Sequence, residues 1–208
     1  MTGPLALNSA LLVFFATALA ACVGGPVLIG DWKNPNYSGP SFQNILVLGV
    51  SEDGNRRRIF ENEFVSQLNA RGADAMPSYR YIGRDGKVPE DEVWRAVRAA
   101  GAEAVIITRV ARVDRERAVT PGYVSTTAVP AFGRAGLYGY YSSAWSTYSP
   151  PTTYEYQIYT LETNLWDIEK DELVWSGSTR IISPSDIYKD IADLVKVITD
   201  ALVKQDLI

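Results

Sequence analysis

Two short runs without a polar residue, Ile45-Leu46-Val47-Leu48 and Ala104-Val105-Ile106-Ile107, constrain this chain more than anything else in it. A strand covered on one face alternates apolar with polar residues. A strand apolar throughout is buried on both faces, which calls for helices on each side of its sheet. The sequence between the runs supplies them. Residues 55–71 place Phe60, Phe64 and Leu68 at a spacing of four, one stripe of a helix, and Gly72 follows where a left-handed C-terminal residue is favoured. Residues 73–79 read as a weaker second strand, with Met76 and Tyr79 as core candidates, and 83–86 as a turn. Pro89 then opens a second helix at its first position. Glu90, Asp91 and Glu92 suit the positive end of that helix's dipole, Arg95 and Arg98 its far end, and Gly101 its close, with Val93 and Val97 facing inward. The order β-α-β-α-β favours a mostly parallel core with right-handed crossovers.

The second half adds an antiparallel part. Past Ile107 the pattern continues to Val113 but becomes alternating and charged, the mark of a strand leaving its helical cover for solvent. Residues 119–153 then lose all periodicity: Tyr, Ser, Gly, Ala and Pro dominate, and Arg134 is the only charged side chain. A stretch this long without structure of its own is functional or disordered. Tyr154, Tyr156 and Ile158 share one face, after which the apolar parity switches to Tyr159, Leu161 and Leu165, predicting a bulge or a strand covered on both sides. Glu169-Lys170-Asp171 is a turn, and Leu173, Trp175 and Ile181 return as one face of the hairpin partner. Ser183 as N-cap, Pro184 at N1 and Asp186 at N3 begin a last helix with the stripe Ile187, Ile191, Leu194, Ile198 and Leu202. Residues 43–208 are therefore expected to form a single α/β domain: a mixed sheet of about five strands, ordered β-α-β-α-β-loop-β-β-α, with its helices packed on the sheet.

Ahead of this domain, residues 10–23 are apolar or small except Thr17. The run suits the hydrophobic part of a secretory signal. A membrane-spanning helix needs about 20 apolar residues, and Gly24-Gly25-Pro26 would break one here. The run ends in Leu19-Ala20-Ala21-Cys22, which resembles the bacterial lipobox: Leu or similar, two small residues and an obligatory Cys. The resemblance implies signal-peptidase recognition through Leu19, Ala20 and Ala21, cleavage before Cys22, and acylation of the Cys22 thiol and of its new amine. Residues 1–21 then form a signal peptide, and 22–42 a lipidated N-terminus and linker. Trp32 and Tyr37 in that linker either pack back on the domain or sit at lipid headgroups. The first ten residues carry no Lys or Arg, a departure from signals that start positively charged; the alternatives are an ordinary cleaved signal or a single span. Val23 after the lipidated residue suits the outer membrane, facing the periplasm, since lipoproteins retained at the inner membrane often carry Asp there.

Composition removes most catalytic toolkits. The chain has no histidine and one cysteine. With Cys22 assigned, a disulfide framework, a Cys/His zinc site and Ser-His-Asp or Cys-His chemistry are excluded. A formal net charge of −4 with both signs interspersed gives no footprint for nucleic acid. Residues 49–54 lie where phosphate-binding loops occur, but they lack the P-loop Lys, and Glu52 and Asp53 would repel phosphate. Asp167, Glu169, Asp171 and Glu172 read as a solvated hairpin end without an EF-hand pattern. No catalytic residue, metal or cofactor is assigned, and the chain is expected not to be an enzyme. A hydrolase working with two carboxylates is the exception that composition leaves open, and it would need them facing across a cleft.

Two clusters stand out as binding candidates. Tyr138, Tyr140, Tyr141, Trp145 and Tyr148 crowd an almost uncharged segment. Tyr and Trp combine large contact area with a polar tip and few rotatable bonds, so the cluster reads as a docking surface, as a membrane-inserting hairpin, or as rings folded over the sheet. Arg56-Arg57-Arg58 opposes the dipole at a helix start. It reads either as an anion contact or as solvated cations offset by Glu52, Asp53, Glu61 and Glu63.

The element order behind a lipobox resembles a group of envelope lipoproteins and relatives: the curli-secretion lipoprotein, the lipoprotein activators of penicillin-binding proteins, and the amino-terminal domain of the translocation protein TolB. The residues carrying the likeness are the strand ending at Val50, Ala102-Glu103-Ala104-Val105-Ile106-Ile107, and Leu165-Trp166-Asp167 followed by Leu173-Val174-Trp175-Ser176. The resemblance implies action by contact: a non-enzymatic assembly or interaction module held to the membrane by its lipid, with a protein partner in the envelope and homo-oligomerisation open. A regulator docking on a peptidoglycan-synthesising enzyme is the second reading it offers.

Overall fold

In the computed structural model, which describes residues 25–124, 137, 138, 141, 148–182, 184 and 186–208, the two apolar runs lie side by side at the centre of one sheet. The strands are β1 (Val27–Lys33), β2 (Asn44–Val50), β3 (Asp74–Pro77), β4 (Ala104–Thr120), β7 (Thr152–Asp167) and β8 (Glu172–Ile182); a small separate pair is β5 (Tyr123–Val124) and β6 (Tyr148–Ser149). The sheet order is β1-β8-β7-β4-β2-β3. β2 pairs in parallel with β3 and β4, and the pairings of β4 with β7, β7 with β8 and β8 with β1 are antiparallel. This is the expected mixed α/β sheet, with six strands in place of five.

The extra strand is β1, which lies inside the segment expected as linker. Its Gly, Pro and Asn content was misleading: Pro26 precedes the strand and Asn34-Pro35 follows it, so the turn-forming residues bound the strand rather than break it. β1 is an edge, with Val27, Ile29 and Trp32 exposed. Of the two aromatics there, Tyr37 stacks on Phe42 at 5.5 Å between ring centroids, and Trp32 remains about half exposed.

Helices α1 (Gly54–Asn69) and α3 (Ile187–Lys204) pack on one face. Phe60, Phe64 and Leu68 of α1 and Leu194, Val195, Ile198 and Leu202 of α3 bury against Ile45, Val47, Ile106, Leu165, Trp175 and Ile181. Helix α2 (Glu90–Ala100) packs on the other face, where Val97 meets Leu46 and Val105 beside Leu48, Met76 and Ile107. These partners all belong to β2, β3 and β4. Among the described residues, no helix covers the same face of β7, β8 and β1.

Local chemistry sets the helix ends. Asp53 caps α1 by accepting from the backbone N–H groups of Asn55 (2.9 Å) and Arg56 (3.2 Å). Pro89 sits at the N-cap of α2, one residue earlier than expected, and Gly101 closes that helix at φ 63°. The α3 cap is Asp186, not Ser183: its carboxylate accepts from Tyr188 N (3.0 Å) and Lys189 N (3.2 Å), and the helix starts one residue later. A carboxylate also complements the helix dipole there. Replacing Asp186 with alanine is expected to cost about 1 kcal/mol, read as a lower urea midpoint at unchanged slope.

Two bulges re-aim side chains. Val110 faces Leu161 while Arg112 faces Thr160, so Ala111 is an extra residue in β4; the expected irregularity near Ile158 lies on the strand opposite it. In β8, Trp175 faces Leu165 and Leu173 faces Trp166, so Val174 is extra. Val174 and Trp175 are both fully buried, and Leu173, expected on the Trp175 face, turns to the other side.

Candidate interaction site

The pairing of β4 with β7 continues beyond the rest of the sheet. β8 ends at Ile182, opposite Ile158, but β4 and β7 stay paired until Thr120 meets Thr152. This is the charged, alternating continuation of the second apolar run. Alternation gives the two-stranded arm two faces. On the face without helices lie Arg112, Asp114, Glu116 and Ala118 with Tyr154, Tyr156 and Ile158; on the other lie Val113, Arg115, Arg117 and Val119 with Glu155 and Gln157. Cross-strand pairs tie the arm together: Arg117 meets Glu155 at 2.6 Å, and Tyr156 donates its hydroxyl to Glu116 at 2.7 Å. That hydrogen bond to a carboxylate holds the Tyr156 hydroxyl above its ordinary pKa. The Tyr154 and Tyr156 rings stand 6.2 Å apart.

At the far end, β5 and β6 add a second short pairing on either side of the Tyr-rich segment. Of the tyrosines singled out in it, Tyr138 and Tyr141 are exposed, with ring centroids 6.4 Å apart. Tyr140 and Trp145 lie outside the described residues, and of Tyr148 only the backbone is described. Cys22, with Leu19, Ala20 and Ala21, lies outside them too.

The three arginines do not form one patch, because successive helical residues point about 100° apart: Arg56 and Arg57 border the cavity described below, and Arg58 does not. Arg57 turns inward and is 4 % exposed. Its Nε donates to Glu61 at 2.9 Å, its Nη1 to the Arg84 carbonyl at 2.8 Å and its Nη2 to Ser78 Oγ at 2.9 Å. Glu61 is completely buried and also accepts from Gly49 N, Tyr79 N and the Ser78 hydroxyl. Arg57 is therefore half of an internal ion pair, which the i,i+4 spacing of Arg57 and Glu61 encodes. Arg56 and Arg58 are exposed, with Arg56 paired to Asp53 at 3.2 Å.

A cavity of about 430 Å³ opens at the end of β2, between the starts of α1 and α3. Phe60, Leu161, Ile181, Ile191 and Leu194 make its lining mainly apolar, and Asp190 is the single carboxylate among its lining residues. The opposed carboxylates of a two-acid hydrolase are not met there. The helix starts beside it are capped by Asp53 and Asp186, which leaves no positive helix end for an anion. A second, polar cavity of about 420 Å³ lies at the root of the arm, lined by Arg115, Glu155, Gln157 and Pro184 among others. Among the described residues no three acidic or Cys side chains group around a potential metal position, and no helix is long and apolar enough to cross a membrane.

No protein-family model and no curated protein matches this chain. Solved structures with a similar fold include the PelC dodecamer from Paraburkholderia phytofirmans, at 15% identity and a TM-score of 0.44 over 84% of this chain and 95% of that one. They also include the lipoprotein GNA1162 from Neisseria meningitidis, at 16% identity and a TM-score of 0.39 over 78% of this chain and 96% of that one. A third is a neuraminyllactose-binding hemagglutinin homologue from Helicobacter pylori, at 12% identity and a TM-score of 0.29 over 84% and 88%.

Proposed function

We propose that this chain is a lipid-anchored envelope protein, tethered through Cys22 at the periplasmic side of the outer membrane, that works by contact with another envelope component. The observation that carries the reading is the two-stranded arm. Two strands alone are marginal in water, yet this pair runs six residues beyond its last neighbour, with Val119, Tyr123 and Tyr154 exposed, and leads straight into the Tyr-rich segment. An exposed aromatic surface on an extended arm is what a docking element offers a partner. The apolar run ending in Leu19-Ala20-Ala21-Cys22 supports the anchor.

The test is photo-crosslinking in intact cells from a reactive residue at position 123, which is exposed at the end of the arm, in the full chain and in one lacking residues 138–148. The full chain is expected to yield a discrete envelope partner, and the deletion to lose it while the thermal midpoint stays in place. Undiminished capture by the deletion, or a deleted protein that no longer melts cooperatively, contradicts the docking role. An intact mass showing Cys22 unacylated contradicts the anchor.

A further inference from the structure

The described chain begins at Gly25, and β1 begins at Val27, which faces Arg180 of β8; Arg180 faces Thr160, and Thr160 faces Arg112. Val27 therefore sits at the root of the arm, and the tether leaves from the end of the sheet at which the arm projects. From Cys22 to Val27 the chain spans at most about 18 Å when fully extended. From the level of Arg112 to Thr120 the arm extends eight residues, about 26 Å at strand rise. An acylated Cys22 is held at the bilayer surface and the arm is longer than the tether, so an arm pointing at the membrane would have to enter it and carry Arg115, Glu116, Arg117 and Glu155 into lipid, which charged side chains resist. The domain has to lie over on its side.

We infer that the side it lies on is the sheet face that α2 leaves bare, over β7, β8 and β1, and that this face rests on the lipid headgroups. The inference rests on the lipidation of Cys22. The opposite face is covered by α1 and α3, whose outer surfaces carry exposed ion pairs such as Lys196 with Asp200. The bare face carries Val27, Trp32, Ile182 and Tyr154, each about half exposed, with Tyr156 and Ile158 beside them. Trp and Tyr are the residues that settle at the headgroup level, with an apolar ring and a polar tip. The charges on the same face are mostly paired among themselves, Arg112 with Asp114 at 2.8 Å and Arg109 with Glu162 at 2.7 Å, while Glu116 accepts from the Tyr156 hydroxyl. The tether leaves from this face's own border, at Val27.

The single cysteine makes the test clean: once Cys22 is acylated, a thiol introduced elsewhere is the only reactive one. Tyr154→Cys and Ile182→Cys on the bare face, and Lys196→Cys on α3, are labelled with an environment-sensitive fluorophore in the full acylated chain. Each is reconstituted into vesicles of phosphatidylethanolamine and phosphatidylglycerol. Labels at 154 and 182 are expected to shift to the blue and to be quenched by brominated lipid, while the label at 196 stays aqueous. Labels at 154 and 182 that remain aqueous overturn the inference. So does a blue shift without quenching, which means that protein, a second copy or this chain's own loop, covers the face instead. An intact mass with Cys22 unmodified removes the tether and the inference with it. Acylated protein with aqueous labels removes the orientation alone.

Discussion

Replacing Glu61 with alanine is expected to destabilise the domain by about 3–5 kcal/mol, because Arg57 is left as a buried charge without its partner. The loss reaches further than the ion pair. Glu61 accepts from Gly49 N at 3.0 Å, Ser78 Oγ at 2.7 Å and Tyr79 N at 3.0 Å, so one carboxylate holds the end of β2, the middle of α1 and the turn after β3. Glu61→Gln keeps the shape and some acceptor capacity and should fall between wild type and alanine. A double change of Arg57 and Glu61 to Met and Leu removes the lone charge, but it leaves two backbone N–H groups without acceptors, and each buried orphan costs about 1–3 kcal/mol. The double variant is thus expected to recover only part of the loss. Urea unfolding followed by circular dichroism gives all three values; a Glu61→Ala cost under about 1 kcal/mol would mean that water enters and solvates Arg57.

Truncating Trp175 to alanine is expected to cost a similar amount, about 3–5 kcal/mol, for a different reason. Its ring is fully buried, in the same core cluster as α3. The indole N–H lies 3.4 Å from the Asp31 carboxylate, long for a hydrogen bond, so the loss is mainly packing and the cavity left behind. The neighbouring Gly177 tests the same ring from the opposite direction. A Cβ built at Gly177 would come within 2.2 Å of the Trp175 ring, so Gly177→Ala forces the indole to move. Overpacking of that kind costs about 1–3 kcal/mol. Trp175→Phe should sit well above alanine in stability, and equal losses for both would show that the indole itself, through Asp31, matters more than its volume.

What the sequence revealed and what it hid divide along physical lines. The doubly buried strands and the stripes Phe60-Phe64-Leu68 and Leu194-Ile198-Leu202 were legible because burial on a regular element leaves a periodic trace. The edge strand β1 was not. It is short, it carries its own irregularity at Ile29, and it exposes Val27, Ile29 and Trp32, so no alternation marks it. In the Arg56-Arg57-Arg58 run the sequence offers Glu61 among four offsetting acids, and only the i,i+4 spacing singles it out as the buried partner of Arg57. Asp186 rather than Ser183 caps α3, a choice between two good capping residues that spacing alone does not resolve. The arm was half visible: its charged alternation marked a strand leaving the core, but the length of its pairing with β7 depends on a register set by contacts far apart in the chain.

That register turns on Ala111, a residue with almost no side chain. Were it paired with Thr160 instead of bulged out, every position from Arg112 to Thr120 would swap sides: Arg115 and Arg117 would join Tyr154 and Tyr156, and Glu116 would leave the Tyr156 hydroxyl it now receives. The arm thus behaves like a text read in steps of two. Loss of Ala111 alone keeps every pair, whereas beyond the bulge insertions and deletions are tolerable in pairs and scramble both surfaces when they come singly, so natural length variation between residues 112 and 120 should favour even numbers.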